Sequence, residues 1–74
     1  MTLGDLAKQL AGDYAGQGIA ETKVASIHLF GIRWADQLHG VRLTELCAEA
    51  GIPVSLATEL AKGRTLAKYV EIKE

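Results

Sequence analysis

Residues 43–62, LTELCAEAGIPVSLATELAK, constrain the fold more than any other stretch, because two runs with apolar positions at helical spacing are interrupted by Gly-Ile-Pro. Thr44 is placed to cap a first helix with Leu43, Leu46, Cys47 and Ala50 on one face, and Gly51 offers the left-handed backbone that ends it. Ile52 is suited to plug the turn, and Pro53 sets a fixed dihedral after it. Either Pro53 or Ser55 opens a second helix carrying Leu56, Ala57, Leu60 and Ala61, with Gly63 expected to end it. Small residues at Ala48 and Ala57 would let the two helices cross closely. The pattern predicts a helix-turn-helix.

In Leu46, the small Cys47, Ala50, Gly51, Ile52, Ala57 and Leu60, the segment resembles the helix-turn-helix family of DNA-binding proteins. More loosely, the whole chain is similar to small bacterial proteins described as HTH-like domains. The resemblance implies double-stranded DNA as the partner and the second helix as the recognition helix. It makes Pro53, Val54, Ser55, Thr58, Glu59 and Lys62 the groove-facing positions. Ser55, Thr58 and Lys62 would then face base edges, while Arg64, Thr65 and Lys68 would hold phosphates. Two positions depart from the family pattern. Cys47 stands where alanine is usual, and Glu59 puts a carboxylate where DNA presents phosphates and acceptor-rich base edges.

Charge bears on the same partner. Eight Lys and Arg against nine Asp and Glu give a formal net charge of −1 and a pI near 6.1, without the basic excess usual in nucleic-acid binders. Lys62, Arg64 and Lys68 nonetheless follow one another with no acid between them, so a local basic patch is available. The same cations also suit a helix C-terminus, where they complement the dipole.

A chain of 74 residues is expected to be one domain spanning 1–74, and chains this short bury only about 60% of their unfolded surface. With 49% hydrophobic residues, part of the apolar surface is expected to meet a second copy in a homodimer, with Phe30, Trp34, Val70 and Ile72 as candidate interface residues. Trp34 fits a core anchor as well as an interface. The single cysteine excludes an internal disulfide and suits a reducing, cytoplasmic setting. Charges interrupt every apolar run, so neither a signal peptide nor a membrane span is expected.

Elsewhere, Thr2 and Asp5 form a capping-box pattern ahead of a helix with Leu3, Leu6, Ala7, Leu10 and Tyr14 on one stripe, closed by Gly16 and Gly18. A longer helix is expected from Ala20 to His39, closed by Gly40 and with Glu21 in its first turn. Val24, Ile27, Phe30, Trp34 and Leu38 form its stripe, with Leu29 and Ile32 off it. Gly31 in its middle costs about 1 kcal/mol relative to alanine, which suggests a close helix crossing there. After Gly63, Val70 and Ile72 alternate with Tyr69, Glu71 and Lys73, the pattern of a short C-terminal strand in need of a partner.

Catalytic and metal chemistry find little support. His28 and His39, eleven residues apart, would be separated by about 16 Å along one helix and cannot share a metal. His28 suits a core edge or interface, and His39 suits a helix C-terminus. Cys47 falls on an inward face, where thiols are usually inert. Asp5, Asp13 and Asp36 lack ligand spacing.

The sequence therefore predicts a small all-α domain of about four helices, with a helix-turn-helix and a possible short C-terminal strand. The function expected is a non-enzymatic, cofactor-free DNA-binding transcriptional regulator acting as a homodimer. The alternative is a protein-interaction or accessory module of the same fold that does not bind DNA.

Overall fold

The computed structural model describes residues 2–16 and 20–72. These residues form five α-helices and one 3-10 turn: α1 (Leu3–Ala15), α2 (Ala20–Arg33), α3 (Ala35–Leu38), α4 (Leu43–Ala50), the turn Val54–Leu56, and α5 (Ala57–Leu66). Thr2 caps α1 as expected. The Asp5 amide donates to its Oγ1 at 3.1 Å, and the Thr2 amide donates back to an Asp5 carboxylate oxygen at 3.2 Å. Leu6, Ala7 and Leu10 of α1 are buried, whereas Leu3 stays at the rim. Gly16 follows the last turn; Gly18 lies outside the described residues. Lys23 of α2 places its ammonium 5.0 Å from the centroid of the Tyr14 ring, a cation–π contact between α1 and α2.

The expected single helix over 20–39 is two helices. Trp34, at φ −106° and ψ 19°, breaks the regular path between α2 and α3. Backbone bonds still cross the break, from the Trp34 amide to the Phe30 carbonyl and from the Leu38 amide to the Trp34 carbonyl, both 2.9 Å. The bend lets Phe30 and Leu38 both enter the core with Ile27, while Leu29 is half exposed. Gly40, at φ 78°, then turns the chain into α4.

The helix-turn-helix forms where the pattern places it, with different ends. Arg42, not Thr44, occupies the position before α4, and it makes no side-chain cap. Gly51, at φ 74°, closes α4. Its amide donates to the Ala48 carbonyl and the Ile52 amide to the Cys47 carbonyl, both at 3.1 Å, which satisfies the last carbonyls as a Schellman motif does. Ile52 is 8% exposed and plugs the turn. Gly63 does not end the second helix: α5 runs through it to Leu66, and Gly63 is buried.

Gly63 is buried because α2 and α5 touch backbone to backbone. A Cβ on Gly31 would sit 2.7 Å from the Leu60 carbonyl oxygen and 2.9 Å from the Gly63 Cα, and one on Gly63 would meet the Gly31 Cα at 3.0 Å and the His28 carbonyl. The close crossing expected at Gly31 is thus made with Gly63; Ala48, read as a point of close approach between the two helices of the helix-turn-helix, is exposed. Leu60, Leu46, Cys47 and Leu38 complete the core between these helices.

No strand forms among the described residues. After α5 the amides of Lys68, Tyr69 and Val70 turn back onto the Thr65 and Leu66 carbonyls at 2.9–3.2 Å, and residues 70–72 continue without regular structure. The other segment that reads as extended, Val41-Arg42-Leu43, forms no strand with them, and its Leu43 is the first residue of α4.

Candidate nucleic-acid interface

The α5 helix presents two kinds of surface. Leu60 and Gly63 face inward, while Thr58, Lys62 and Thr65 are exposed. Their spacing of four and three residues puts these three on one outward stripe. Ser55, exposed in the 3-10 turn, precedes the stripe, and exposed Lys68 lies beyond the end of the helix.

Glu59 and Arg64 do not stand on that stripe. The Glu59 carboxylate pairs with His28 Nε2 of α2, and its second oxygen accepts from Lys62 Nζ at 3.2 Å. Hydrogen bonds from His28 and then Lys62 hold the Glu59 carboxyl below the usual glutamate range. The Glu59 side chain is only 25% exposed, so the one acid of α5 is drawn to the side rather than aimed outward. Arg64, on the opposite flank, donates from Nη1 to the Leu38 carbonyl at 3.3 Å and ties α5 to the end of α3. Of the residues read as contacting DNA, the fold brings Thr58, Lys62 and Thr65 to one face and exposes Ser55 in the turn ahead of it. It gives Glu59 and Arg64 structural contacts and leaves Lys68 at the edge.

The residues read as a dimer interface are scattered. Phe30 is 1% exposed and belongs to the core, so it offers no surface to a second copy. Trp34 packs against that core, its ring centroid 6.3 Å from that of Phe30, and its buried indole Nε1 has no hydrogen-bond partner among the described residues. Val70 is 48% exposed, and Ile72 is half-buried. Larger apolar surface lies nearby at Tyr69, 79% exposed, and at Leu66, 43% exposed.

His28 is the participant least visible in the sequence, because its partner Glu59 stands thirty-one residues away and only the α2–α5 crossing joins them. Burial pushes the Cys47 thiol upward, away from the reactive thiolate. Among the described residues no three His, Cys, Asp or Glu side chains gather as metal ligands, and no helix is long and apolar enough to cross a membrane.

A family model described as an HTH-like domain matches residues 2–73 of the chain. No curated protein and no solved structure gives a significant match.

Proposed function

The chain belongs to the HTH-like domain family, and on that premise we propose that it is a DNA-binding transcriptional regulator, acting in the cytoplasm as a homodimer. The observation that carries this reading is the acid-free outward stripe of α5, where Thr58, Lys62 and Thr65 are exposed while Glu59 is held aside by His28. A helix about 10–12 Å across fits a major groove about 12 Å wide, so the hydroxyls of that stripe meet base edges while Lys62 and the flanks of α5 meet the phosphates along the walls of the groove. Hydroxyls at Ser55, Thr58 and Thr65 can donate or accept, which suits several base edges. Lys62 supplies positive charge, shared with Glu59. No catalytic step is assigned to the chain.

Retention of a random-sequence duplex at low salt tests it. The wild-type chain is expected to retard the duplex, and Lys62→Glu to weaken retardation with the oligomer mass unchanged by light scattering. Arg64 is a poor probe, since its substitution also cuts the bond to the Leu38 carbonyl. No retardation by the wild-type protein would reject DNA binding.

One observation favours the second reading, a protein-interaction module. Leu66, Tyr69 and Val70 expose apolar surface at the end of the same helix, and a patch of that kind suits a protein partner. In that case the light-scattering mass would rise with a partner or with a second copy, and duplex DNA would have no effect.

A further inference from the structure

Beside the outward stripe of α5 lies an open cleft of about 940 Å³, walled by α3 and its following turn on one side and by the C-terminal half of α5 on the other. His39, Gly40, Arg64, Thr65 and Lys68 line it, with Asp36 as the one acid among the described lining residues. In a chain whose formal net charge is −1, this is a place where basic side chains from two elements converge. We propose that the cleft seats a phosphate group, with Arg64 and Lys68 as its charged ligands, Thr65 as a hydroxyl donor and His39 as a donor from the opposite wall.

Three features of the fold support this. The Arg64 guanidinium is positioned by its bond to the Leu38 carbonyl, which uses one of its five N–H donors and leaves the rest for an oxyanion. The Lys68 ammonium is not consumed in capping α5: the Gly63, Thr65 and Leu66 carbonyls are already met by the backbone amides of Ala67, Lys68, Tyr69 and Val70. Nor do the side chains of His39, Asp36 and Lys68 hydrogen-bond or ion-pair with anything else among the described residues. Asp36 offsets one charge of the Arg64 and Lys68 pair, which leaves the cleft positive.

Thr65 belongs both to the cleft and to the outward stripe, so a phosphate seated here would lie where the wall of a groove flanks the helix that enters it. The source assigned to the phosphate is therefore a duplex backbone, which rests on the DNA reading above. A free phosphorylated small molecule presents the same chemistry.

The two sources separate in one experiment on the full chain. Backbone amide NMR shifts are followed as inorganic phosphate is added against a chloride control of equal ionic strength. In parallel, the salt dependence of binding to a random-sequence duplex is measured, both for the wild type and for a His39→Ala/Lys68→Glu double variant. Both positions are exposed, so the variant should fold, which a far-ultraviolet circular dichroism spectrum verifies. The proposal expects phosphate-specific shifts at Gly40, Thr65 and Lys68 that vanish in the variant. It also expects the log K against log salt slope to become shallower by about 1 for each phosphate that the variant no longer neutralises. Phosphate-specific shifts without duplex binding would keep the cleft, make a free phosphorylated molecule its ligand and reject the DNA reading. A variant that changes neither the shifts nor the slope would overturn the cleft and leave the DNA reading standing on the outward stripe.

Discussion

Glu59 stands on the segment read as a recognition helix, and a carboxylate aimed outward there would repel a duplex. In the fold it bonds instead to His28 and Lys62, and those bonds lower its pKa. Because the folded value lies below the ordinary 4.5, the stabilisation is complete above that value and is lost as pH falls through the folded one. The stability difference between wild type and Glu59→Gln, followed by urea denaturation, is therefore expected to hold at neutral pH and shrink in acid; a difference unchanged across the acid range would dismiss the pair. Gly51 gives a second prediction at this scale. Its φ of 74° with open space around it means that Gly51→Ala costs about 1 kcal/mol through backbone strain alone. Gly51, the Thr2 cap and the Ile52 plug were legible because each is a local device with its own residue signature. The His28–Glu59 pair was not, since nothing local links two residues that only the tertiary crossing brings together.

At the scale of elements, the crossing of α2 and α5 organises the molecule. Gly31 and Gly63 remove the side chains that would hold the two backbones apart. Replacing either with alanine is expected to destabilise by about 2 kcal/mol, because the new methyl meets backbone that cannot rotate aside. Denaturant midpoints check this. Since the two glycines face each other, the cost of the double substitution should differ from the sum of the single ones; strict additivity would mean that the two positions act independently. Gly31 was legible as a crossing point because a mid-helix glycine is costly and asks for a reason. Gly63 reads as a helix stop by the same local logic, since glycine after an apolar run suggests a terminus unless the packing partner is known. The break at Trp34 was equally hidden, because the stripe of Ile27, Phe30, Trp34 and Leu38 is continuous and no local signal in it marks an interruption. The Val70–Ile72 alternation suggests a strand, but strands need edges, and the one other extended segment leads into α4.

For the whole molecule, burial leaves an apolar end at Leu66, Tyr69 and Val70 and an outward stripe without an exposed acid on α5. If the apolar end joins two copies, light-scattering mass should fall toward the monomer on dilution, and Tyr69→Lys should shift that transition to higher protein concentration. A mass independent of concentration and of the substitution would remove the dimer. The central claim is that α5 carries the contact with duplex DNA, and the salt dependence of binding to a random duplex tests it most directly. With Lys62, Arg64 and Lys68 contributed by each of two subunits, about six phosphate contacts predict a log K against log salt slope near −5, reduced by about 2 when both Lys62 residues of the dimer are reversed. Binding that is absent at low salt, or whose slope is unchanged in Lys62→Glu, would contradict it.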